Sequence, residues 1–268
     1  MGIDYLASEG APSELGVAVN LVGRNRTFIP ISSEFFETSD GPATGNCAEL
    51  VRVAAERGRG LWGLVDLLHW EPDSSVRSTV LEKRPELVEL NLQAGCGLSP
   101  SRGRYASPWR QDVRSSLVAL AEAIGRHASR PLALVVRCRL SPTEMLAYND
   151  AARAAYIRAA QLDPADLLIG TPTPSDRART TRWLQWRLTT MTGFLGEVVH
   201  AYRKARPSGR VTAAVLANQY RRSLIERSYA AEDWLTWILD GIIDGVLLEG
   251  AWEEGSEDRD YASALGII

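Results

Sequence analysis

The chain has 268 residues, 45% of them hydrophobic and 24% charged, with a net charge of -3 at pH 7. That length fits one large α/β domain, read here as a single barrel domain over residues 1–268. The near-neutral charge supplies no broad basic field, which argues against nucleic acid or an anionic membrane surface as the main partner and favours a small neutral or cationic ligand. No apolar run approaches the roughly eighteen residues of a membrane helix, and Met1–Leu6 lacks the basic and apolar regions of a signal peptide. A cytoplasmic protein is expected from the chain as written, and a secreted or periplasmic one if a leader precedes it. Cys47, Cys96 and Cys138 are odd in number and show no paired spacing, so neither a disulfide framework nor a zinc knuckle is indicated.

In chain order, Val17–Val22 and Thr27–Ser32 read as short strands, and residues 46–57 carry apolar positions at helical spacing behind Asn46 as a cap. Residues 61–68 read as a buried strand. Residues 111–127 read as an amphipathic helix with Val113, Leu117, Leu120 and Ile124 on one face. A buried strand over residues 132–136 follows, then long helices over 143–160 and 175–206, separated by Thr171-Pro172-Thr173-Pro174, whose prolines forbid continuity. A strand over 211–216, a helix over 231–239 and a last strand over 242–248 complete the pattern. A further strand is expected within residues 87–93.

Apolar strands separated by helices imply a parallel sheet covered on both faces. Two architectures satisfy this, a (β/α)8 barrel and an open doubly wound sheet. The barrel is favoured because polar or aromatic residues follow several strands: Glu34; Asp66, His69 and Trp70; Arg137 and Arg139; Asn218 and Gln219; Glu249 and Trp252. A barrel gathers all such ends at one mouth, whereas an open sheet gathers only those at its switch point. Fewer than eight strands are legible, so an incomplete or atypical TIM-type barrel is expected.

Several chemistries are demoted by the residues present. Gly58–Gly63 matches G-x-G-x-x-G but enters a strand, whereas a dinucleotide fingerprint leaves one. His69, His127 and His200 show no metal-binding spacing, so no metal and no cofactor is implied. Lys83 and Lys204 lie away from strand ends, against Schiff-base chemistry, and no G-x-S-x-G elbow exists. Carboxylate chemistry with aromatic and arginine binding groups survives. Glycoside hydrolysis needs one acid to protonate the leaving oxygen and one carboxylate as nucleophile or base. Glu249, at the end of the buried run 242–248, and Asp66 are the candidate catalytic pair. Glu34, His69, Trp70, Arg137, Arg139, Asn218, Gln219 and Trp252 are candidate substrate-binding residues.

The motif Asp233-Trp234-Leu235-Thr236-Trp237, followed by Asp240-Gly241-Ile242-Ile243-Asp244, resembles the segment before a late strand in glycosyl-hydrolase-like, family 10-like glycosidases. Trp183-Leu184-Gln185-Trp186-Arg187 is similar to that family's W-x-x-W-R helix. Ala54–Gly58 leading to Asp66 and Trp70, and Ser107-Pro108 with Val113-Arg114, are further similarities. The resemblance spans about residues 48–252 and implies a (β/α)8 barrel that acts on carbohydrate. One departure stands out. Where such proteins place an acidic strand, this chain has Leu132–Arg139 with Arg137 and Arg139 in place of carboxylates. The leading reading is therefore a carbohydrate-active barrel with paired carboxylates. The alternatives are a non-catalytic barrel that binds carbohydrate or a protein, and a barrel enzyme acting on a small acid through the two arginines, whose other reading is a structural ion pair. The sequence leaves the oligomeric state open.

Overall fold

The computed structural model describes residues 20–22, 26–31, 60–70, 79–93, 97–100, 104–127, 133–141, 144–167, 173–216 and 230–249. The strands are β1 (Asn20–Val22), β2 (Arg26–Ile31), β3 (Gly60–Asp66), β4 (Leu90–Gln93), β5 (Gly97–Pro100), β6 (Ala133–Arg137), β7 (Val211–Leu216) and β8 (Gly245–Glu249). The helices are α1 (Thr79–Lys83), α2 (Gln111–His127), α3 (Asp150–Ala160), α4 (Pro174–Ala205) and α5 (Trp234–Leu239).

One 6-stranded sheet has the order β1-β2-β3-β6-β7-β8. β1 runs antiparallel to β2, and each remaining neighbour pair is parallel. The order never reverses along the chain, so the sheet winds one way, as a barrel does. A doubly wound sheet would reverse at a switch point. The fold is α/β with TIM-type winding, incomplete among the described residues, whose sheet edges are β1 and β8.

Strand period two sorts the side chains into two layers. Val65, Leu134, Val136, Ala213 and Val215 join Val113 and Leu117 of α2 and Phe194, Leu195 and Val198 of α4 in the main core. The alternate positions Val135 and Ala214, with Leu64 and Leu247, form a small separate cluster on the inner face. Coverage on both faces is why these strands read as unbroken apolar runs.

The helix ends follow their caps. Thr173 accepts a hydrogen bond from the Asp176 amide ahead of Pro174, and Asn149 accepts one from the Ala152 amide at 2.8 Å. Two expectations are corrected here. The helix expected from residue 143 begins only at Asp150. Ser141-Pro142-Thr143-Glu144 has the spacing of a capping box, and the Glu144 amide does donate to Ser141 Oγ at 3.2 Å. Leu146 then bridges Asn91 in extended pairing, and Ala147 takes φ 95, which a helix cannot contain. The strand expected within residues 87–93 exists as β4, but it pairs antiparallel with β5, outside the main sheet. The two strands lie too close in sequence for the long crossover that a parallel pair needs.

Packing of α2 on α4 depends on close approach at Gly125. A Cβ there would stand 2.8 Å from the Ala205 Cβ and 2.9 Å from the Tyr202 carbonyl oxygen. Gly125→Ala is expected to destabilise the protein by about 1–3 kcal/mol through overpacking, read as a lower urea midpoint at unchanged slope.

Candidate functional site

Parallel winding brings the carboxyl ends of the strands to one side. Ile31, Asp66, Arg137, Leu216 and Glu249 close β2, β3, β6, β7 and β8. Asp66 stands in register with Arg137, and Leu216 with Glu249. The Asp66 carboxylate is fully engaged. Its Oδ2 accepts from Arg137 Nη1 at 3.0 Å, and its Oδ1 accepts from the amides of His69 at 3.0 Å and Leu68 at 3.3 Å. The side chains of this pair keep 23% (Arg137) and 18% (Asp66) of their surface exposed, so both border the mouth rather than the core.

Past Asp66 the chain bends, with the Leu68 and His69 amides turned back to its carboxylate. His69 bridges Tyr105, and the two rings stack with centroids 4.2 Å apart and planes 3° from parallel. Burial, then the charge of Asp66, pushes the Tyr105 hydroxyl well above its ordinary range, while Arg139 and a hydrogen bond with Ser141 oppose the shift. Trp70 is buried at 6% exposure, and its Nε1 donates to the Leu67 carbonyl at 2.9 Å, so its indole helps to pack the core under the mouth.

Arg139 faces a carboxylate absent from the sequence-based candidates. Its Nη1 lies 3.6 Å from Glu232 Oε1, and the Glu232 side chain is wholly buried. Glu232 Oε2 accepts from the Leu216 amide at 3.2 Å, which ties Glu232 to the end of β7. Cys138 is buried between the two arginines in sequence. Burial first, then the charges of Glu232 and Asp66, raises its thiol well above the ordinary value, so it is an inert core thiol. Glu144, also buried, accepts from Asn91 Nδ2 at 3.1 Å and contributes negative charge near Tyr105.

No family model matches the chain, and no curated protein sequence matches it. Solved structures do resemble it. The catalytic domain of β-amylase from Paenibacillus polymyxa superposes with a TM-score of 0.59 at 12% identity, over 82% of this chain and 68% of that one. The PgaB (BpsB) glycoside hydrolase domain from Bordetella bronchiseptica gives 0.57 at 15% identity, over 78% of this chain and 58% of that one. A β-galactosidase from Bacillus circulans sp. alkalophilus gives 0.61 at 10% identity, over 91% of this chain and 38% of that one. The fold that these structures share with the chain is a TIM-type (β/α) barrel. The chain spans little more than two thirds of the first of these structures and less of the others, and identities this low carry the fold and not the residues.

Of the sequence-based candidates, Asp66, His69, Arg137 and Arg139 stand together at the mouth, and Glu249 closes the strand beside β7. Glu34, Asn218, Gln219 and Trp252 lie outside the described residues. Tyr105, Ser141, Glu144 and Glu232 belong to the same cluster and were not among the candidates. None of them ends a strand of the main sheet, and Glu232, two residues before Trp234, reads as the polar start of a helix. The one available signal was the S-x-x-E spacing of Ser141 and Glu144. Among the described residues no group of three or more His, Cys, Asp or Glu could hold a metal ion, and no helix is long and apolar enough to cross a membrane.

Proposed function

We propose that the chain is a glycosidase-like barrel, close in type to the family 10-like glycosidases, which binds carbohydrate at the carboxyl ends of β3, β6, β7 and β8. Glu249 serves as nucleophile or base, and Asp66 is its partner across the mouth. The observation that carries this reading is the convergence of Asp66, Arg137, Arg139, His69 and Tyr105 at one end of a sheet wound as in glycoside hydrolases. Such enzymes act from that end of the barrel. Glu249 is the last residue of β8, in register with Leu216 at the end of β7. A carboxyl separation of about 5 Å would give retention of configuration, and about 6.5–9.5 Å inversion.

The deciding experiment is hydrolysis of neutral and uronic-acid oligosaccharides by the parent and by Glu249→Gln, with the fold of both checked by circular dichroism. The expected result is turnover by the parent and a loss of roughly 100- to 10,000-fold in the folded variant. Equal turnover by both would remove Glu249 from the chemistry.

A second reading, a barrel that binds carbohydrate without cleaving it, has its own support. Asp66 and Arg137 are committed to each other, and Arg139 and Glu232 stand as an ion pair. A parent that binds sugars without hydrolysing them, with binding that survives Glu249→Gln, would select this reading.

A further inference from the structure

We infer that Glu232 is a positioning residue of the mouth, which holds Arg139 and the end of β7 in place beside the last residue of β8. The inference rests on the reading of this mouth as the carbohydrate site. A side chain with no exposed surface cannot itself touch a sugar, so any part Glu232 plays is exerted through its neighbours. It has two. Oε2 takes the Leu216 amide, and Leu216 is the residue in register with Glu249, so the carboxylate is anchored one strand away from the proposed nucleophile. Oε1 faces the Arg139 guanidinium, which keeps 15% of its side chain exposed and lies close enough to Tyr105 for its charge to act on the phenol. One buried carboxylate thus links the segment that follows β6 to the end of β7, the strand beside β8.

The backbone holds Glu232 in place. Ala231, immediately before it, is buried in the left-handed region at φ 53, a conformation that a residue with a Cβ adopts only when its surroundings impose it. The surroundings include the Leu140 amide, which donates to the Ala230 carbonyl at 2.8 Å and so fastens the segment bearing Glu232 to the segment bearing Arg139. An ordinary helix start would need neither the strained alanine nor this cross-link.

The test follows Arg139 directly. Phenylglyoxal modification, mapped by mass spectrometry, is compared in the parent, Glu232→Gln and Asp66→Asn, all checked by circular dichroism. With its carboxylate partner neutralised, Arg139 is expected to react about fivefold faster in Glu232→Gln, with Arg137 unchanged, and Asp66→Asn should show the opposite pattern. On any saccharide that the parent hydrolyses, Glu232→Gln should lower kcat/KM by about tenfold or more through misplacement of the mouth. Glu232→Asp, which keeps the charge, should recover part of that loss. If Glu232→Gln does not fold, Glu232→Asp carries the labelling comparison, because its carboxylate is withdrawn by one methylene. Unchanged Arg139 labelling in a folded variant overturns the inference whether or not the parent is active. A parent that neither binds nor cleaves any saccharide overturns the carbohydrate reading, while the labelling still decides the role of Glu232.

Discussion

Arg187→Ala is expected to cost about 2–5 kcal/mol of stability, the range found when a large, fully buried side chain is truncated to alanine. Arg187 has no exposed surface, although it lies in the middle of a surface-packed helix. Its guanidinium sits 5.0 Å from the Trp183 ring centroid, one helical turn earlier, and its Nη1 stands 3.0 Å from Met145 Sδ. Its charge also helps to offset that of Glu89, another side chain with no exposure. Truncation would open a cavity among Trp183, Tyr148 and Met145 and leave Glu89 more poorly compensated. Urea denaturation should show a lower midpoint with little change of slope. The double variant Glu89→Gln/Arg187→Met should recover a large part of the loss, since it removes both charges and keeps most of the volume. A single variant within about 1 kcal/mol of the parent would show that Glu89 does not depend on this arginine.

The same residues show what kind of information the family-like motifs carried. Trp183-Leu184-Gln185-Trp186-Arg187 places Trp183, Leu184 and Arg187 in the core, and only Trp186 and Gln185 reach the edge. In Asp233-Trp234-Leu235-Thr236-Trp237, Trp237 is buried and donates from Nε1 to Thr192 Oγ1 at 2.8 Å. Gly241 turns the chain at φ 68, and Asp244 then accepts from the Val211 amide at 2.7 Å and from Arg203 at 3.0 Å. Asp244 lies at the amino ends of β7 and β8, opposite the mouth. These motifs therefore specify how the barrel is assembled, and conservation of such a pattern says little about which acid reacts.

The strands and the long helices were legible because each buries a continuous apolar face whose period is set by local geometry. Residues 111–127 and 211–216 begin and end where the pattern places them. The loops were not legible in the same way. The stretch 144–149 follows the capping-box spacing of Ser141 and Glu144, yet its course is decided by partners distant in sequence: Asn91 bridges Leu146, and Glu89 takes the Ala147 amide and the Asn149 side chain. The mouth was legible as far as residues adjoining strand ends, which is why Asp66, Arg137 and Arg139 could be placed there from the sequence. Glu232 and Tyr105 come from segments that arrive at the mouth through tertiary packing, for which no spacing rule exists.

The second large effect is a loss of stability as pH rises, with its origin in Glu89. Burial pushes its carboxyl up to about 7, against the pull of hydrogen bonds from Ser107, Ala147 and Leu90 and the charge of Arg187. The folded protein therefore holds this proton more tightly than the unfolded chain, in which the group titrates near its ordinary 4.5. A raised carboxyl contributes its full stability below the unfolded value and loses it as pH rises through the folded one. Between about pH 5 and pH 8 the unfolding free energy should fall by about 3 kcal/mol from this group, and Glu89→Gln should flatten that slope. A parent whose stability is constant or rises over the same interval would mean that Arg187 and the three donors outweigh burial and keep the carboxylate charged. The consequence would extend beyond stability. Glu89 holds the Ala147 amide at 3.1 Å and the Asn149 cap of α3 at 3.1 Å, and its own amide donates to the Tyr105 carbonyl at 2.7 Å. Loosening at Glu89 would thus reach the Tyr105–His69 stack beside Asp66, so the mouth should lose order over the same pH interval in which the fold loses stability.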